Sequence, residues 1–181
     1  MGAIPWRFKS SRPHHFKITN KISVLATLIF MAKERFKLIC SSYVLLVKDN
    51  KILLGKRQNT GYMDEFWHLP AGHKEEGETA TECLIREIAE EIGLELNQKN
   101  IRFVHAMCRK ENDERVDLFF EVKNYKNEVQ NMEPEKCSEL KWFNLNNLPE
   151  NTVPYAKHAI ECYNQNIFFS EFGWGKQQSS F

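Results

Sequence analysis

The sequence predicts an α/β fold in which a mixed central sheet is covered by helices. Two observations predict it. Strand-forming runs lie on both sides of one strongly patterned helix, and a second helix follows the last strand. No internal repeat or interdomain linker divides the region, so about 130 residues form one domain of ordinary size.

Each element has a local reason. Leu38 to Val47 (LICSSYVLLV) is rich in residues that favour strands, Asp49-Asn50 makes a turn, and Lys51 to Lys56 (KILLGK) returns as a hairpin. Gln58 to Asp64 has the composition of a loop, and Phe66 to Leu69 is a short strand stopped by Pro70. Gly72 to Gly77 is a charged loop bounded by glycines. A helix follows, with Thr79 as N-cap, Glu82 three residues later and Gly93 as its stop. Ile101 to Arg109 and Val116 to Val122 read as strands around a polar turn, and Leu140 to Leu145 as another. Pro154 opens a last helix that runs to Asn164, and an aromatic stretch from Phe168 to Trp174 precedes a polar end. The expected division is an extension over 1–35, a domain over 36–166 and a tail over 167–181.

Apolar residues make up 42% and charged residues 27% of the chain, a globular balance. The formal charge is +1, so no broad basic field points to a nucleic-acid polymer as partner. The five cysteines are widely spaced, with no CxxC pair, which argues for free thiols in a reducing cytoplasm over a disulfide framework or a zinc site. Ile22 to Ala32 (ISVLATLIFMA) is apolar but 11 residues long, below the roughly 20 that span a bilayer. Basic residues precede it as in a signal peptide, and Met31 inside it offers an alternative start. Residues 1–30 therefore read as a leader or a non-native extension, with a targeting segment or a membrane-surface contact as the other options. Firm membrane association is not expected. The sequence leaves the oligomeric state open, a homodimer included.

Projected at about 100° per residue, Thr79 to Leu94 separates into two faces. Leu84, Ile85, Ile88 and Ile92 share the arc that should pack on the sheet. Glu87, Glu90 and Glu91 share the neighbouring arc, three like charges near the negative end of the helix dipole. Two readings stand at this point, a solvated acidic face or a site for a hard cation. Oxygen-only ligands suit Mg²⁺, with Mn²⁺ as a substitute, over zinc.

The complete string GHKEEGETATECLIREIAEEIGL resembles the Nudix box, G-x5-E-x7-R-E-U-x-E-E-x-G-U with U aliphatic. Gly72, Glu78, Arg86, Glu87, Ile88, Glu90, Glu91, Gly93 and Leu94 occupy its nine fixed positions. The likeness extends from about Phe36 to about Asn164. It implies an α/β/α sandwich carrying a loop-helix-loop motif, and a hydrolase of diphosphate linkages. It further implies that Glu87, Glu90 and Glu91 hold metal with help from the Gly72 carbonyl, and that Glu87 or Glu90 activates the attacking water. Glu78 and Arg86 then brace the loop, and Gly93 ends the helix. A further ligand is expected from the loop ahead of the Leu140 strand, where Glu133 and Glu135 rank above Glu139. The alternative is that these are plain loop charges.

The substrate is less determined. Arg57 is a candidate phosphate contact or a structural strand end. Tyr62, Phe66 and Trp67 are candidates to stack on a base, with core packing as the other reading for Trp67. The stretches RQNTGYMDEFWHLPAGHKEEGE and LPENTVPYAKHAI resemble small MutT-like Nudix proteins. That resemblance implies a small-molecule nucleotide substrate, a nucleoside triphosphate cleaved to monophosphate and pyrophosphate, with oxidised dGTP within range. Cys108-Arg109-Lys110 lacks the proline or tyrosine that marks the ADP-ribose and dinucleoside-polyphosphate branches beyond the box, so those substrates rank lower. A nucleotide-sensing module without catalysis ranks lowest, because every box glutamate is present.

Overall fold

The computed structural model describes residues 35–175. The readings made for residues 1–30 and for the polar end beyond 175 lie outside the described residues. A continuous buried run, with Tyr43 to Val47 apolar throughout, builds a long first strand, β1 (Ile39–Lys48), which turns at Asp49-Asn50 into β2 (Lys51–Arg57). Both turn residues adopt positive φ, the left-handed conformation that asparagine and aspartate tolerate best after glycine. Two short strands follow, β3 (Trp67–His68) and β4 (Ala71–His73). Then come α1 (Ala80–Ile92), β5 (Ile101–Lys110), β6 (Glu114–Val122), β7 (Cys137–Asn144), α2 (Pro154–Asn164) and β8 (Phe169–Phe172).

The strands form one mixed sheet in the order β3-β2-β1-β6-β5-β8, with β4 pairing β1 and β7 pairing β2. β1 runs parallel to β6 and β5 parallel to β8, while the other pairs are antiparallel. The sheet is apolar on both faces because its central strands alternate between two cores. Tyr43, Leu45, Ile52, Leu54 and Phe119 meet Tyr155, Ala156, Ala159 and Ile160 of α2. Val44, Leu46, Leu53 and Phe120 meet Leu84, Ile88 and Ile92 of α1. The result is the expected helix–sheet–helix sandwich. The Thr79 capping box forms in full, and Gly93 ends α1 in the left-handed conformation at φ 70°.

Two expectations need correcting. The segment at Gly72, expected to be loop, begins with β4, whose three residues pair with Ser41, Ser42 and Tyr43 of β1. Residues 167–175, expected to be tail, include β8, which extends the sheet beyond β5. Here backbone pairing outweighs the weak local pattern. His105 donates to the Ile167 carbonyl at 2.8 Å and bonds Ser170 at 3.0 Å, and the Trp174 indole donates to the Cys108 carbonyl at 3.0 Å.

Candidate active site

Helix α1 turns Leu84, Ile88 and Ile92 into the core, which leaves Glu87, Glu90 and Glu91 along a cleft of about 520 Å³. Gly72 and Ala71 of β4 line it as well, together with Arg57 and Thr60 and with Glu133 and Lys136. The Ala71 amide donates to the Glu91 carboxylate at 3.0 Å. Burial in the wall, with Glu87 and Glu133 adding negative charge, pushes that carboxyl up to about 8.

Gly72 is required by close approach. A Cβ built on it would lie 1.7 Å from Cδ of Glu87, so the strand and the carboxylate touch only because no side chain intervenes. Arg86 sits behind the carboxylates. It donates to both oxygens of Glu78, at 2.9 and 3.3 Å, and to the His73 carbonyl at 3.3 Å. Glu78 also accepts from the Glu75 amide at 2.6 Å, and these bonds hold its carboxyl down to about 2, Arg86 first among them. The pair therefore clasps the loop to the helix. Arg86 also reaches Glu87 at 2.7 Å and Glu90 at 3.4 Å, so its role is wider than the outward-facing brace expected from sequence.

Among the described residues no three acidic, histidine or cysteine side chains already meet in metal-ligating geometry. Glu87 and Glu90 are drawn toward Arg86. The donor set nevertheless suits a hard cation: Gly72, Glu87, Glu90 and Glu91 line one cleft, Glu91 accepts a single protein N–H there, and the Gly72 carbonyl, beyond its strand pairing with β1, accepts only from the weak Cys83 thiol at 3.6 Å. Of the loop candidates, Glu133 lines this cleft and pairs with Lys136 at 2.7 Å. Glu135 does not line it; its backbone carbonyl accepts from the Asn59 amide at 3.1 Å. Glu139 lies within β7 and is also absent from the lining.

A second cavity, of about 390 Å³, shares Arg57, His68 and the β4 wall with the first. Arg57 reaches both because the β2–β7 register shifts at Lys56/Arg57, an irregularity that re-aims a strand-end side chain. Its Nε donates to the Tyr62 carbonyl at 2.8 Å and its Nη2 to Thr60 at 3.0 Å. Tyr62 lines the second cavity, where burial and the neighbouring Glu111 push its hydroxyl up to about 12. Phe66 and Trp67 line neither cavity. Trp67 is 7% exposed and packs edge-on against Phe143. His68, Arg109 and Tyr155 were not singled out by sequence, since only the folded sheet and α2 bring them together.

A family model described as NUDIX domain matches residues 40–162. The chain belongs to the Nudix family. This Nudix chain is 31% identical over 97 residues to an 8-oxo-dGTP diphosphatase of Proteus vulgaris, covering 53% of the chain and 85% of that protein. It is 30% identical over 127 residues to the 8-oxo-dGTP diphosphatase of Buchnera aphidicola, covering 69% of the chain and 92% of the relative. An NAD-capped RNA hydrolase NudC of Pseudomonas putida is 31% identical over 125 residues, and there the match spans 43% of the relative's length. The fold matches a MutT NUDIX hydrolase from Burkholderia pseudomallei with a TM-score of 0.64 at 24% identity, covering 70% of this chain and 98% of that one. The Nudix chain is a hydrolase acting on diphosphate linkages. Enzymes of this family work with divalent metal ions on small nucleotide substrates. Among the described residues no helix is long and apolar enough to cross a membrane.

Proposed function

We propose that this Nudix enzyme hydrolyses a nucleoside triphosphate to the monophosphate and pyrophosphate, oxidised dGTP included, in the cytoplasm and with Mg²⁺. The observation that carries the proposal is the convergence of Glu87, Glu90, Glu91 and Gly72 on one cleft that Arg57 also lines. The two diphosphatase relatives support the choice of substrate.

Glu87, Glu90, Glu91 and the Gly72 carbonyl would hold the cation, with Glu133 as the additional carboxylate of the cleft. When bound, such an ion neutralises diphosphate charge and acidifies water. The remaining work falls to the chain. Arg57 orients the phosphates. Glu87 or Glu90 accepts the proton of the attacking water. Arg86 and Glu78 fix the loop so that the Gly72 carbonyl stays beside the helix. Positioning and electrostatics are most of what phosphoryl transfer requires.

The test is a screen of purified protein with Mg²⁺ and Mn²⁺ against canonical and oxidised nucleoside triphosphates, ADP-ribose, NAD and dinucleoside polyphosphates. The expected result is highest kcat/KM on a triphosphate, with pyrophosphate released. A second reading is cleavage of ADP-ribose, supported by an ADP-ribose pyrophosphatase of Methanocaldococcus jannaschii that is 35% identical over 114 residues. A clear preference for ADP-ribose overturns the first reading in favour of the second.

A further inference from the structure

Lys136 has no part in the hydrolysis described above, yet it stands among the groups that perform it. It lines the cleft together with Glu87, Glu90, Glu91 and Arg57, and its ammonium pairs with Glu133 at 2.7 Å. Its charge also bears on Glu91. The backbone beneath it is held from two sides. Toward α1, the Met132 amide donates to the Glu91 carbonyl at 3.0 Å and the Gln130 amide to the Ile92 carbonyl at 3.1 Å. Toward β2, the Lys136 carbonyl accepts from the Gln58 amide at 2.8 Å, and the Asn59 side chain donates to the Glu135 carbonyl at 3.1 Å.

Because the loop is tied to both neighbours, any change in what Lys136 touches falls to its side chain. That side chain is 59% exposed and ends a flexible four-carbon stem. Its origin also matters. Arg57 is the register partner of Cys137 across β2 and β7, and the next residue, Gln58, bonds Lys136 itself. Arg57 and Lys136 therefore spring from adjacent backbone and line the same cleft.

We propose that Lys136 is a second phosphate-binding cation beside Arg57, paired with Glu133 until Glu133 ligates a divalent ion and then released to the substrate. The inference rests on the function given above. Once Glu133 ligates such an ion its charge is cancelled and the ammonium is repelled, so ion and lysine compete even through different oxygens. The released ammonium offers three donors and a compact charge, which suits a phosphate oxygen next to the planar fork of Arg57. The exchange has a sign that plain packing lacks: removing the lysine should strengthen binding of the ion and weaken binding of the nucleotide.

Lys136→Met and Lys136→Gln remove the charge, and Lys136→Arg keeps it. Lys56→Met removes another charge of the same cleft, one whose partner is Glu65. Mn²⁺ binding to each protein is measured by calorimetry without nucleotide, and kcat and KM with saturating Mg²⁺ on whichever of dGTP, dATP, dCTP and dTTP wild type cleaves best. Thermal melts verify folding, and either neutral variant suffices if the other melts early. In the neutral variants the Kd for Mn²⁺ should fall about two- to fivefold, the weight of an exposed ion pair. Their KM should rise roughly tenfold, the weight of a hydrogen bond to a charged group, with a smaller change in kcat. Lys136→Arg should match wild type in both, and Lys56→Met should match it in Mn²⁺ binding. A folded neutral variant that binds Mn²⁺ no tighter, or that keeps the wild-type KM, overturns the inference. Equal tightening in Lys56→Met overturns it too, because overall charge then explains the effect. Where wild type binds Mn²⁺ and cleaves a triphosphate, these failures leave the function standing. If wild type binds no Mn²⁺ or cleaves no triphosphate, the function and the inference fall together.

Discussion

Replacing Gly72 with alanine isolates the geometry of the site with one methyl group. The added Cβ would sit 1.7 Å from Cδ and 2.0 Å from Oε1 of Glu87. Restoring an ordinary carbon contact of 3.4 Å requires the carboxyl to retreat by about 1.7 Å. Gly72 does not adopt positive φ, so alanine suits the backbone, and all three nearest atoms belong to one flexible side chain. Glu87 should therefore swing aside while β4 keeps its pairing with β1. The stability cost should lie at the low end of the ~1–3 kcal/mol typical of an inserted methyl group. Turnover should respond far more, because a misplacement of about 1 Å at a reacting centre costs on the order of 10²-fold. The assay pairs kcat, measured with excess Mg²⁺ on the best substrate of the screen, with a thermal melt. A Gly72→Ala protein with kcat within about threefold of wild type would refute the close contact as a functional constraint.

Three further predictions follow from other contacts. Glu91→Gln keeps an acceptor for the Ala71 amide but loses the charge, so turnover should fall by orders of magnitude with little change in melting temperature; wild-type turnover in the purified variant contradicts the assignment. Arg86→Ala removes bonds to Glu78, Glu87, Glu90 and the His73 carbonyl together, so it should lower the melting temperature by several degrees and raise proteolysis between Gly72 and Thr79; an unchanged cleavage pattern counts against the clasp. His105 is buried, donating from Nδ1 to the Ile167 carbonyl and accepting from Ser170 at Nε2, and burial holds its imidazole below the ordinary range. The unfolded chain then binds the proton more tightly, so this contribution to stability is intact above the ordinary histidine value of about 6.5 and is lost as pH falls below it. A nitrogen-detected NMR titration should find His105 neutral at pH 6, and a midpoint at or above 6.5 rejects the argument.

What the sequence revealed depended on how local the physics was. Helix α1 could be read to its ends because its signals lie within a few residues: Thr79 bonds Glu82, and Gly93 supplies the left-handed stop. The carboxylate arc was legible for the same reason, since helical periodicity places Glu87, Glu90 and Glu91 side by side. Strands β4 and β8 were missed because three- and four-residue strands have almost no pattern of their own and owe their form to β1 and β5. Trp67 left two readings open because the residue it packs against, Phe143, is distant in sequence. Arg109, Asp117 and Tyr155 share a pocket wall or an ion pair only through cross-strand register and the docking of α2. Glu133 and Glu135 are two residues apart, yet one faces the cleft and the other does not, a distinction set by the turn around Pro134.

Strand β4 is three residues long, and all three of its residues line both cavities. A segment this short has no interior, so a substitution in Ala71–Gly72–His73 is felt in both cavities at once. Variation at β4 therefore cannot tune one cavity alone, whereas Tyr62 and Glu111 line only the second.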